Sequence, residues 1–179
     1  MTRAELKREL DRAGVDPDTY SLNDEYKEGC IALSQVSLEK IMDFLKVRPI
    51  GKWSVFYCYQ GAMVHRRLFS TESEACEHLL ERLIRILRIR QKYQGMNVNN
   101  LKCELGCAGV DPREYGLDGS DFPGDQMVLS EQSNGIWEVF YTERGYRSEL
   151  MSFKSESAAC EHFLDWVLSS KRWFKAEQK

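Results

Sequence analysis

Trp53-Ser54-Val55-Phe56-Tyr57, then Phe69, then Glu72-Ser73-Glu74-Ala75-Cys76-Glu77-His78 comes back later in the chain. It returns as Trp137-Glu138-Val139-Phe140-Tyr141, Phe153 and Glu156-Ser157-Ala158-Ala159-Cys160-Glu161-His162, every match 84 positions on. Upstream of both sets lies a second pair of matches, 95 positions apart: Ala13-Gly14-Val15-Asp16-Pro17 with Tyr20, and Ala108-Gly109-Val110-Asp111-Pro112 with Tyr115. An ordered series of this kind marks an internal repeat. The chain is therefore read as two copies of one module, residues 1–94 and 95–179. Residues kept in both copies are assigned to the frame, and residues found in one copy are where individual function is sought. The offsets differ by 11, so the first copy carries 11 extra residues. They are placed near 37–47, where Leu38, Ile41, Met42 and Leu45 have helical spacing.

Each copy opens on a short amphipathic helix, Arg3 to Ala13 in the first, stopped by a glycine that tolerates the left-handed conformation. Asp16-Pro17 and Asp111-Pro112 then read as an N-cap followed by proline at the first helical position. Three strands follow. In the first copy they are expected near Cys30 to Ser34, Lys52 to Gln60 and Met63 to Phe69. In the second they are expected near Gln126 to Glu131, Ile136 to Glu143 and Tyr146 to Phe153. The middle strands are rich in Trp, Val, Phe and Tyr, and Gly61 and Gly145 mark tight hairpin turns. A longer helix closes each copy. In the first it runs from Thr71 to Arg90, with Thr71 and Glu74 as a capping box and Cys76, Leu79, Leu80, Leu83 and Leu87 as its apolar face. Ser155 caps the second without the box. The polar stretch Gln91 to Asn97 is read as the linker. The fold expected is α+β: a tandem duplication of a helix–three-stranded antiparallel sheet–helix module, each closing helix packed across one sheet face.

Bulk composition is that of a globular protein, with 42% hydrophobic and 30% charged residues among 179. No apolar run nears the roughly 20 residues that cross a bilayer. The charged start, Met1-Thr2-Arg3-Ala4-Glu5-Leu6-Lys7, lacks the apolar core of a signal peptide, so the chain is expected to be cytoplasmic. The six cysteines are then expected as reduced thiols. Only Cys76 and Cys160 occupy matched positions, whereas a disulfide framework would follow the repeat. The net charge of −3 is unevenly placed. Residues 1–94 hold 16 Lys and Arg against 14 Asp and Glu, and residues 95–179 hold 9 against 14, giving +2 and −5. The second copy is the one suited to a basic partner.

Several patterns could carry chemistry. Cys76-Glu77-His78 and Cys160-Glu161-His162 could pair a nucleophile with a base. Positions two apart on a helix diverge, so a core cysteine with a surface histidine is the reading preferred. Cys103 and Cys107 share a helix face and, with Cys160 or His162, could hold zinc. Without a Cys-x-x-Cys pair, helix packing is preferred. The stretch Arg82, Arg85, Arg88, Arg90 and Lys92 could bind nucleic acid, or form a solvated basic face at a helix C-terminus. A phosphate-cradling glycine loop and a Gly-x-Ser-x-Gly elbow are both missing from the sequence. No catalytic, cofactor or metal residue is therefore assigned, and the chain is expected not to be an enzyme. What remains is the acidic, partly aromatic surface of the second copy. Asp118, Asp121, Phe122 and Asp125 fall in one loop. Glu138, Glu143, Arg144, Tyr146, Arg147 and Glu149 fall on or beside the last hairpin. Together they form a candidate patch for a basic protein.

The second copy resembles a family of small bacterial immunity proteins found in polymorphic-toxin and contact-dependent growth inhibition loci. The resemblance rests on Gly109-Val110-Asp111-Pro112 with Tyr115 and Leu117. It rests also on Trp137-x-Val139-x-Tyr141-x-Glu143-Arg144-Gly145 and on Phe153-x-Ser155-Glu156-x-x-Ala159-Cys160. It spans almost all of that copy. The first copy looks like the same module but has Tyr59-Gln60-Gly61 where the second has Glu143-Arg144-Gly145. The resemblance implies a non-enzymatic protein that binds and neutralises one cognate toxin. A nuclease toxin would present a basic cleft, to which an acidic surface is complementary.

Overall fold

The computed structural model describes residues 1–23, 26–36, 52–117 and 124–176. The expected helix at 37–47 and the loop residues Asp118, Asp121 and Phe122 lie outside these. The chain divides into two compact units, Met1–Leu87 and Arg88–Lys179.

In the first unit, helix α1 (Arg3–Ala13) starts at Thr2, whose hydroxyl accepts from the Glu5 amide while Glu5 reaches back to the Thr2 amide. It stops at Gly14, where φ is 74°. There the Val15 amide bonds back to Leu10 O at 3.0 Å. Asp16 Oδ1 accepts from the Asp18 amide at 3.0 Å and caps a 3-10 turn, Pro17–Thr19. That turn delivers β1 (Tyr20–Ser21), followed by β2 (Ile31–Gln35), β3 (Trp53–Tyr59) and β4 (Ala62–Phe69). Helix α2 (Glu72–Lys92) follows the sheet, and its residues from Arg88 on belong to the second unit. The β3–β4 turn places Gln60 at φ 49° and Gly61 at φ 73°, the two positive values a two-residue hairpin of this hand requires.

The second unit contains α3 (Val98–Cys107), a 3-10 turn at Pro112–Glu114, β5 (Tyr115–Gly116), β6 (Gln126–Glu131), β7 (Trp137–Glu143), β8 (Tyr146–Phe153) and α4 (Glu156–Ala176). Gly109 sits at φ 66° and Val110 N donates to Leu105 O at 3.0 Å. Asp111 Oδ1 accepts from the Arg113 amide at 3.0 Å.

Among the described residues both sheets have four strands, in the orders β1-β2-β3-β4 and β5-β6-β7-β8, rather than the three expected from sequence. The extra strand is two residues long and parallel to its neighbour, Tyr20 opposite Ile31 and Tyr115 opposite Met127. Two residues carry no periodicity, and the pairing arises only because the 3-10 turn sets the chain beside the next strand. The longer strands are antiparallel. In both sheets the last pairing slips by one residue, opposite Phe56 and opposite Phe140. His65 at φ 53° and Glu149 at φ 54° absorb the slips.

Each unit has its own core. The first joins Leu6, Leu10, Val15, Ile31, Leu33, Val55, Cys76, Leu79 and Leu83. The second joins Ile89, Met96, Leu101, Leu105, Val110, Leu129, Val139, Cys160, Phe163, Leu164 and Val167. Each fully buried leucine contributes about 1.5–3 kcal/mol. The closing helices thus lie on one face of their sheets, as expected. Helix α2 runs two residues past Arg90, shortening the segment read as a linker.

Candidate functional site

The β7–β8 hairpin is built by alternation. Val139 and Tyr141 turn to the helix-covered face and belong with the core. Glu138, Phe140 and Thr142 turn to the other. The chain reverses at Arg144, φ 50°, and Gly145, φ 82°, with Glu143 paired opposite Tyr146. Asp125 Oδ1 accepts from the Arg144 amide at 3.3 Å, and Thr142 Oγ1 donates to Gly124 O at 2.8 Å. These two bonds fix the turn against the start of β6.

The pleat separates the sequence-derived carboxylates. Glu138 lies on the face with Phe140, its side chain 19% exposed, and meets Arg147 at 3.6 Å. The Arg147 guanidinium also stacks over the Phe140 ring at 4.4 Å. This acid is already matched by a cation. Asp125, Glu143 and Glu149 form a different group. Burial raises the Tyr141 phenol pKa, and the charges of Asp125, Glu143 and Glu149 raise it further. Glu149 is exposed as a residue, yet surrounding protein removes enough water from its carboxyl to push its pKa up. Beside them Tyr146 is 80% exposed and Leu150 48%. Arg144 and Glu143 are exposed at the tip. Sequence reasoning missed Tyr141 and Leu150. The first reads as core, and the second is brought out by the bulge, which has no sequence signal.

The matching hairpin of the first unit holds its turn by the same device, with a second bond added. Glu28 accepts from both turn amides, Gln60 at 2.7 Å and Gly61 at 3.3 Å. Tyr57 is pushed up to about 12, first by burial and then by Glu28. Its turn carboxylate thus accepts two backbone bonds, where Asp125 in the second unit accepts one.

The other candidates fare as follows. Cys76 and Cys160 are buried, but so are His78 and His162, at 8% and 9% exposure. The surface histidine expected from sequence is corrected: each ring lies 5.1 Å from a strand phenylalanine, Phe69 or Phe153. Cys103 and Cys107 are exposed, opposite the buried Leu101 and Leu105, so they do not pack the helix. Among the described residues no group of three or more His, Cys, Asp or Glu is placed to hold a metal ion. The basic stretch is not one solvated face. Arg82 is 3% exposed, Arg90 meets Glu161 at 2.9 Å and Lys92 meets Glu104 at 2.5 Å. The Lys92–Glu104 hydrogen bond raises the lysine pKa and lowers that of the glutamate. Among the described residues no helix is long and apolar enough to cross a membrane. No protein-family model, curated protein or solved structure matches the chain.

Proposed function

We propose that the chain is an immunity protein of the polymorphic-toxin type. In this reading it acts in the cytoplasm, is not an enzyme, and neutralises one cognate toxin, a nuclease with a basic surface, by direct contact. The observation that carries the reading is the second unit's hairpin. There an 80% exposed tyrosine, Tyr146, stands beside Glu143, in a group with Asp125, Glu149 and half-exposed Leu150. Tyrosine is favoured at the energetic centre of interfaces, since it offers area at low entropic cost and a polar tip. Carboxylates around it raise the rate of encounter with a basic surface and disfavour acidic ones. The same reading takes the two units as copies of one ancestral module. The order helix, 3-10 turn, short parallel strand, three antiparallel strands and helix recurs, and the left-handed positions recur at Gly14 and Gly109, Gln60 and Arg144, His65 and Glu149.

The test is to sequence the neighbouring genes and, where one encodes a large secreted protein, to co-express its C-terminal domain with this chain. Protection of the producing cells is the expected result. Tyr146→Ala with Glu143→Lys should weaken binding of that domain by about tenfold to a hundredfold, or about 1.4–3 kcal/mol. The unfolding midpoint should stay the same. Glu138→Gln, at a carboxylate already paired with Arg147, should change affinity far less. Absence of protection by the unaltered chain would end the reading.

A further inference from the structure

Cys30 and Cys58 face each other across the start of β2 and the end of β3. The hairpin site uses neither. Gly29, at φ 77°, and Cys30 together oppose Cys58. Gly29 N donates to Cys58 O, and Cys58 N donates to Cys30 O, both at 2.9 Å. This two-against-one arrangement is a glycine bulge. Directly opposed residues of a regular antiparallel ladder lie about 4.5–5.5 Å apart at Cα, inside the range of about 4.4–6.8 Å that a disulfide spans. The sulfurs are 3.9 Å apart. They must close by about 2 Å to bond. Both thiols are buried, at 0% and 5% exposure, in a small cluster with Ala32 and Phe56.

The second unit supplies a contrast. At the corresponding register it has Gln126 opposite Thr142, and the Thr142 hydroxyl is tied to the Gly124 carbonyl. The first unit has a thiol at both positions, and the thiols meet each other. We propose that Cys30 and Cys58 are a peroxide-oxidisable dithiol that closes into an intrachain disulfide between β2 and β3. One thiolate attacks a peroxide oxygen, giving a sulfenic acid and releasing alcohol, or water from hydrogen peroxide. The second sulfur then attacks the first, and water leaves. The pair loses two electrons and two protons, and the peroxide takes them up. Burial, reinforced by Cys30, pushes the Cys58 thiol up to about 12. The reaction is therefore slow at neutral pH and accelerates as pH rises, since the thiolate is the reacting form. The bond ties the two strands beside Glu28, which holds the first unit's hairpin turn. This inference does not depend on the toxin reading.

The experiment uses the full chain with Cys103→Ser and Cys107→Ser, which removes the exposed thiols. The protein is treated with hydrogen peroxide while folded, quenched, unfolded and alkylated. Intact mass should show two alkyl groups instead of four and the loss of two hydrogens. Peptide mapping should join the Cys30 peptide to the Cys58 peptide, leaving Cys76 and Cys160 alkylated. The thermal midpoint should rise on oxidation and fall back with dithiothreitol. Adding Cys58→Thr, the residue the second unit holds at this register, should abolish both changes. Cys30 and Cys58 recovered as separate alkylated or sulfinic residues after prolonged oxidation would overturn the proposal, as would a link to any other cysteine.

Discussion

Glu149 combines two unfavourable features at one residue. Its φ of 54° is left-handed, a conformation that costs a non-glycine residue about 1–2 kcal/mol. Its carboxyl also has a raised pKa because it is partly desolvated. An acid whose folded pKa is raised binds its proton more tightly folded than unfolded. Stability then falls as pH rises from the ordinary value of 4.5 through the folded pKa, and is flat above it. Glu149→Gln should accordingly be more stable than the parent at pH 7. The advantage should shrink as pH falls through the raised folded pKa and be lost below the ordinary value of 4.5. Urea unfolding of both proteins across pH 3–8 (roughly the span over which a raised carboxylate titrates) checks this, and an advantage that persists at the acid end would refute the cause given. Since the residue is exposed, solvent screening limits the size of the effect.

At the scale of elements, the caps distinguish otherwise similar helices. Thr71 Oγ1 accepts from the Glu74 amide at 3.2 Å, and Glu74 returns the bond to the Thr71 amide at 3.1 Å. Ser155 makes only the forward bond, to the Ala158 amide at 3.3 Å. Thr71→Ala should cost about 1 kcal/mol and Ser155→Ala less, within the usual range of about 0.5–2 kcal/mol for cap removal. Chemical denaturation would measure both, and equal losses would show that the returned bond adds nothing. These caps were legible in the sequence because capping depends on residues three apart. So were the hairpins, whose turns need glycine, and the strands with dense β-branched and aromatic residues. The parallel strands β1 and β5 were not legible, being two residues long and fixed by what they lie beside. Nor was the burial of His78, His162 and Arg82, which local pattern assigns to a polar face. The candidate site was half legible. Tyr146, Glu143 and Glu149 could be named from charge and hairpin position. The separation of Glu138 from them follows from the pleat and its ion pair with Arg147.

At the scale of the whole molecule, the proposed doubling makes a prediction that neither unit makes alone. Leu10 and Leu105 occupy matched positions. Each is fully buried, and each backbone carbonyl accepts from the valine after the left-handed glycine. They lie in separate cores. Leu10→Ala and Leu105→Ala should each destabilise by about 2–5 kcal/mol, the usual cost of truncating a buried leucine. If shared positions are frame, the two losses should be similar and neither variant, while folded, should lose affinity for the proposed toxin partner. Substitutions at Glu143 and Tyr146 should do the reverse. The second unit carries the excess acid, 14 Asp and Glu against 9 Lys and Arg over residues 95–179, so association should slow markedly as salt screens it. Stopped-flow association rates at low and high ionic strength would read this directly. A rate indifferent to salt, with Leu10→Ala and Leu105→Ala differing widely in stability, would separate the acidic half from recognition and the matched leucines from a common frame.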